Sequence, residues 1–338
     1  MVSNETNLSL WPCLHSLHFI TWSVPCTLSR LGGIIILSIS VVCFTFNIRF
    51  LCSQRCRNSL VVSLFLASLF VIMISVPGVL VQLFTCHRHC LNSYCRIEGF
   101  FSYLSGCLCM LIFTLLSIHR YLSLCSYDHL LSYRCSTFIC WLLSIAFTFP
   151  LIFDYLNSYL PEGLGFHCSI NWKDQSNLGR LYILSSFILM YLLPLAILLF
   201  VNIRAHLIIR NIYSKRYLTS SFSKYVHKRD SSRLNRQADD YEKIYVHKYC
   251  VRKATDRKRF RMDYRFLRAI VFLVSSYLIA WTPYSVIAIL QLLDIKFISQ
   301  HPFLITLSAF IAKLSVILTP FVYLSIMNYK LFKKILFK

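Results

Sequence analysis

Pro302-Phe-Leu-Ile-Thr-Leu-Ser-Ala-Phe-Ile-Ala-Lys313-Leu-Ser-Val-Ile-Leu-Thr-Pro320-Phe-Val-Tyr323 is a mostly apolar stretch, long enough to cross a bilayer as a helix. It carries one ionisable group, Lys313. At about 1.5 Å per residue, Lys313 lies roughly 16 Å past Pro302, too deep for its stem to bring the ammonium cheaply to an interface. A charged lysine at that depth costs about 3 kcal/mol or more, so this one is expected to be paired, neutral or covalently used. No other lysine falls inside an apolar run of spanning length.

Working outward, the composition agrees. With 57% hydrophobic residues, 14% charged residues and a mean hydropathy of +0.61, the chain is too apolar for a soluble protein of 338 residues. The net charge of +22 does not point to nucleic acid, because more than half of the Lys and Arg fall between Arg204 and Arg268. That segment is polar, basic and without an apolar period, as in a cytoplasmic loop. No cleavable signal peptide is read at the N-terminus. Asn4-Glu-Thr6 and Asn7-Leu-Ser9 are glycosylation sequons on an extracellular tail. Of the fifteen cysteines, five (Cys43, Cys52, Cys107, Cys109 and Cys140) lie inside apolar runs, where packing is their expected role. Cys86-His-Arg-His-Cys90 has metal-like residue types but is one short cluster, and no metal site is expected.

Seven apolar runs are marked, at about 31–52, 59–85, 96–123, 136–156, 179–203, 265–292 and 302–326. Basic residues follow the first, third and fifth, which puts the N-terminus outside and the C-terminus inside. The expected fold is an all-α membrane protein, a seven-transmembrane helix bundle. A 1–30 extracellular tail precedes a 31–326 transmembrane domain, whose long basic loop covers about 204–264. A short 327–338 cytoplasmic tail follows, whose basic and apolar residues suit an amphipathic helix on the inner membrane surface. No transporter-like repeat and no phosphate-binding loop is found.

Motifs along the runs agree in order. Asn47, alone in the first, is expected to bond to a neighbouring helix. The second holds Leu66-Ala-Ser-Leu-Phe70. The third runs from Cys95-Arg-Ile-Glu98-Gly-Phe-Phe through Gly106 to His119-Arg120-Tyr121. Cys95 and Arg120 are about 37 Å apart along a helix, at opposite faces of the membrane. Trp141, Pro150 and Pro194 mark the next two runs. In the loop between them Glu162 stands six residues before Cys168, and the sixth run has Trp281-Thr-Pro283-Tyr284, where proline permits a kink. On the residues alone, Glu98 either favours a helix N-terminus, pairs with adjacent Arg96 or serves a site. Likewise Trp281 and Tyr284 either pack the bundle or line a pocket.

This set resembles the opsins, of the rhodopsin-like class A G-protein-coupled receptors, from Asn47 to Phe332. The resemblance implies that Lys313 carries retinal, 11-cis or all-trans, as a Schiff base. It implies a pocket including Gly106, Trp281 and Tyr284, a disulfide between Cys95 and Cys168, and a counterion at Glu98 or, alternatively, Glu162. Arg96 is expected to face headgroups, since neighbours on a helix point about 100° apart. Arg120, Tyr121, Asp263, Pro320 and Tyr323 would form the cytoplasmic switch, with Asp263 as a partner for Arg120. On illumination, strain passes to Trp281 and the cytoplasmic ends of the fifth and sixth helices move to admit a heterotrimeric G protein. Arrestin is a further implied partner, and the plasma membrane the implied location.

Four positions depart from the family pattern: Phe70 at the acidic position of the second helix, His119 before Arg120, Asn202 for a tyrosine and Thr319 for the asparagine before Pro320. These keep open a receptor for a diffusible ligand, and a retinal photoisomerase. A light-activated receptor, not an enzyme, is the favoured reading, with no catalytic residues.

Overall fold

The computed structural model describes residues 26–52, 58–86, 92–125, 132–208, 210, 271–327, 332, 333 and 335. Asn4, Asn7, Asp263 and nearly all of the basic loop lie outside them. Among the described residues seven helices are long and apolar enough to span a membrane: α1 (Cys26–Cys52), α2 (Ser59–Thr85), α3 (Asn92–Ser123), α4 (Tyr133–Phe153), α5 (Asn177–Ile208), α6 (Val271–Leu292) and α7 (Pro302–Ile326). Each expected run is found, most with ends shifted by a few residues. α1 begins at Cys26, five residues before the expected start, because polar Thr27, Ser29 and Arg30 form its outer turn rather than a tail.

The helices divide by what they face. In α2 and α3, 67% of the apolar window is buried, in α7 50%, and in α1, α4, α5 and α6 only 28%. The outer four leave one side to lipid. In α1 the buried residues Ser29, Gly33, Ser40, Cys43, Asn47 and Phe50 recur at helical spacing, whereas Leu31, Ile34, Ile35 and Val41 are exposed. In α4 the inner stripe is Ser136, Cys140, Ser144 and Thr148, small side chains that allow close backbone approach.

Three helices depart from regular geometry where the sequence dictates it. A π-turn, Val71–Ser75, interrupts α2 just before Pro77, which has no N–H to give. A second π-turn, Phe187–Leu192, precedes Pro194 in α5. Pro150 tightens the end of α4 into a 3-10 turn, Phe149–Phe153, closed by Asp154 in the left-handed region.

Polar contacts tie the helices inside the membrane. Asn47 Nδ2 donates to Ser68 Oγ at 3.0 Å, and Ser68 in turn donates to the Ile317 carbonyl at 3.1 Å, joining α1, α2 and α7. Ser68 therefore supplies polarity at the centre of α2, where Phe70 has none to give. Two residues along a helix turn about 200°, so only one of them faces Asn47. Phe70 packs instead on Phe101 and Trp141, at 5.1 and 6.1 Å between rings. Trp141 Nε1 donates to Ser63 Oγ at 3.0 Å.

Between α4 and α5 lies an antiparallel hairpin, β1 (Tyr159–Glu162) and β2 (His167–Ile170). Its turn needs Gly163 and Gly165, both at positive φ. Cys168 is bridged to Cys95 of α3, which clamps the hairpin over the bundle. A second bridge, Cys26–Cys86, ties the outer ends of α1 and α2. It takes Cys86 out of the metal-like cluster, whose other members lie outside the described residues. At the inner end Phe332 and Ile335 close the core near Phe46, and Arg49 Nη1 donates to the Ile335 carbonyl at 3.1 Å.

Candidate functional site

Lys313 stands on the inward face of α7, its side chain 16% exposed. Its Nζ lies 2.7 Å from Oε1 of Glu98, which is 2% exposed, and 3.2 Å from Ser75 Oγ. Ser75 donates to the same Oε1 at 2.8 Å. The second carboxylate oxygen, Oε2, accepts from the backbone N–H of Cys168 at 2.8 Å. Glu98 thus joins α7, α2 and the bridged hairpin. Removing either member of such a buried pair leaves an uncompensated charge, a cost of about 3–5 kcal/mol. Arg96, the alternative partner, points away: it pairs with Asp154 and donates to the Ile152 carbonyl at 3.2 Å.

From Lys313 a pocket opens between α3, α5, α6 and α7, enclosing about 850 Å³ including its mouth. The hairpin roofs it with Ser169, Ile170 and Trp172, while Met190, Tyr191, Tyr277 and Trp281 line its walls and floor. Trp281 is held from two sides. Its Nε1 donates to Ser315 Oγ at 3.0 Å, and its ring stacks on Tyr277 at 5.3 Å. Gly106 is required here: a β-carbon would lie 2.7 Å from Cη2 of the indole. Tyr277 also donates to the Gly106 carbonyl at 2.9 Å, fixing the approach of α6 to α3.

Glu162 sits elsewhere. Its Oε2 accepts from Ser169 Oγ at 2.6 Å and Tyr284 OH at 3.0 Å and lies 3.2 Å from His167 Nε2. Trp172 Nε1 donates to the same Tyr284 hydroxyl at 3.0 Å. This buried network stiffens the roof, and its bonds run to the hairpin and α6 rather than to Lys313. Tyr159 adds to it, donating to the Thr148 carbonyl at 2.9 Å, and burial pushes its phenol well above the ordinary range.

At the cytoplasmic end His119 is buried, 2.8 Å from Ser136 Oγ and stacked on Tyr133 at 4.3 Å. Thr319 donates to the Ser315 carbonyl at 2.8 Å and Asn202 to the Leu198 carbonyl at 2.8 Å, each within its own helix. Arg120 and Tyr121 close α3, Pro320 lies within α7 and Tyr323 is buried.

Sequence reasoning singled out Lys313, Glu98, Gly106, Trp281 and Tyr284, and apart from Glu98, which reaches Lys313 from beside it, all line the one pocket. It missed Ser75, His167, Ser169 and Tyr277. Serines are common in the spans, and only the π-turn directs Ser75 inward. The placing of His167 next to the bridged Cys168 was the one available signal for its burial.

Comparison with known proteins matches this architecture. The family profile described as 7 transmembrane receptor (rhodopsin family) covers residues 34–323. The chain is similar to pinopsin of Columba livia, 25% identical over 305 residues, which are 87% of this chain and 75% of that protein. To opsin-5 of Mus musculus it is 25% identical over 244 residues, 70% of this chain but only 55% of that longer relative. To the G0-coupled rhodopsin of Mizuhopecten yessoensis it is 23% identical over 334 residues, covering 94% and 71%. The crystal structure of squid rhodopsin shares the fold with a TM-score of 0.72 at 20% identity, over 92% of this chain and 85% of that one. With seven spans in the expected order and a profile match from α1 to Tyr323, the chain belongs to the rhodopsin family of seven-transmembrane receptors, which are signalling proteins and not enzymes.

Proposed function

We propose that this receptor is an opsin-like photoreceptor that holds retinal as a Schiff base on Lys313, with Glu98 as counterion, and activates a heterotrimeric G protein on illumination. The observation that carries the proposal is the 2.7 Å contact between a buried lysine and a buried glutamate at the end of an aromatic-walled pocket. The residues fit the group: an amine to attach it, a carboxylate to hold the positive charge, and apolar walls for a polyene. Retinal supplies light absorption and a change of shape. Glu98 keeps the proton on the attached nitrogen, since a nearby anion favours the charged form in a low-dielectric site. Gly106 and Trp281, in close contact on the pocket wall, receive the change of shape and pass it to α6. The outcome is a population shift between receptor states rather than catalysis.

Coupling to a G protein, shut-off by arrestin and residence in the plasma membrane belong to the same proposal. Two relatives are named as G0- and GQ-coupled rhodopsins, which supports the first. Glu162 is the alternative counterion, and the arrangement favours Glu98. The test is to reconstitute purified protein separately with 11-cis and all-trans retinal and record spectra. A visible, acid-trappable adduct that is lost in Lys313→Ala is expected; an adduct surviving in Lys313→Ala overturns the assignment.

A further inference from the structure

Ser75 bonds to both members of the Lys313–Glu98 pair, and it stands at a feature of α2 that lies outside the pocket. In an unbroken α-helix the Ile74 carbonyl accepts from the Gly78 N–H. Here the phenol of Tyr94, from the first turn of α3, stands between them. It donates to the Ile74 carbonyl at 2.5 Å and accepts from the Gly78 N–H at 3.1 Å. Pro77 already removes one bond of this ladder, and the inserted phenol separates the next pair, beside the π-turn Val71–Ser75. Gly78 is needed because a β-carbon there would sit on the Tyr94 ring. The residue that ends the π-turn is Ser75, with its hydroxyl on Glu98 Oε1 and in reach of Lys313 Nζ.

We infer that Tyr94 is a positioning residue for the charged pair: its hydroxyl, lodged between Ile74 and Gly78, props open the α2 ladder and turns Ser75 onto Glu98 and Lys313. Both hydrogen bonds of Ser75 go to the charged forms, so losing them favours the neutral pair. The inference rests on the proposed retinal site only for its visible-absorption half.

The test compares Tyr94→Phe, Ser75→Ala and their double variant by two readouts. In the ligand-free receptor, infrared spectra identify the Glu98 carboxylate band as the one that vanishes in Glu98→Gln. That band is expected to move by the same amount in Tyr94→Phe and in Ser75→Ala, with no further movement in the double variant. After reconstitution, the visible band is expected to be lost at a pH about one unit lower in each single variant, tenfold in proton affinity, and again no lower in the double. Gly78→Ala, which expels the phenol from the other side, should reproduce both shifts if Tyr94→Phe folds poorly. A structural role alone would lower the melting temperature and leave both readouts at their wild-type values. Tyr94→Phe at wild-type band position and midpoint, with Ser75→Ala displaced, overturns the inference. Should wild-type protein form no pigment, the retinal proposal fails and the infrared comparison still decides the role of Tyr94.

Discussion

The two ends of the bundle handle buried polarity in opposite ways. Toward the extracellular side, Glu98 and Lys313 are both kept as groups that carry charge, joined to each other and to Ser75. Toward the cytoplasm, buried polar groups make hydroxyl-centred bonds: Asn47 to Ser68, His119 with Ser136, Thr319 to a carbonyl. A buried ion pair is weak evidence for stability, because desolvation offsets much of its attraction. Hydroxyl bonds of about 1 kcal/mol each tie helices without that cost. The difference teaches that the bundle bears the cost of a buried charged pair only at the end where the proposed chemistry on Lys313 would use it.

The largest expected effect tests the charged end. Lys313→Ala should abolish any visible pigment and destabilise the ligand-free receptor by about 3 kcal/mol, since Glu98 is left unpaired. Combining it with Glu98→Gln should restore most of that stability, as read by thermal unfolding in detergent. No recovery in the double variant would mean the pair is not what holds these helices together. Next, Glu98→Gln should move the absorption into the ultraviolet at neutral pH in chloride-free buffer, while Glu162→Gln keeps its visible band. The reverse result would transfer the counterion role to the hairpin.

A third comparison sets covalent against non-covalent closure. Cys168→Ser should cost about 2–5 kcal/mol, as loss of a disulfide in an oxidising compartment usually does. It should also loosen the Cys168 N–H contact to Glu98, so pigment yield is expected to fall with stability. Cys26→Ser, remote from the pocket, should lower stability and leave the absorption maximum where it was; a shifted maximum would link the α1 to α2 bridge to the site. The smallest effect is expected at the cytoplasmic end. Ser136→Ala should cost about 1 kcal/mol and raise basal nucleotide exchange on a G protein only slightly. Asp263→Ala, removing the expected partner of Arg120, should change basal exchange by the equivalent of about 1 kcal/mol or less. A large rise in either would show that the hydroxyl-centred end holds the inactive state after all.

How much of this was legible in the sequence depends on what each feature needed. Spans require only length and apolarity, so all seven were found. Glu98 was placed beside Lys313 by the resemblance to opsins, and its position one helical turn below Cys95 is compatible with that depth. Ser68 was not singled out, because a serine in a span carries no signal until the Asn47 that faces it is seen. Ser75 and Tyr94 were invisible for a related reason: a π-turn breaks the period on which any helical reading relies. Cys26 was read as part of a tail, so its bridge to Cys86 had no visible partner.

That bridge has a consequence for how the chain is made. Its two sulfurs lie at the start of the first span and the end of the second, so they meet only after that pair of helices has been threaded as a hairpin with both outer ends in the oxidising lumen. A chain threaded the other way round would keep both thiols in the reducing cytosol. The Cys26–Cys86 linkage is therefore a chemical record of insertion that needs only the first two helices in place. Trapping thiols on nascent chains truncated shortly after Cys86 would read it during synthesis.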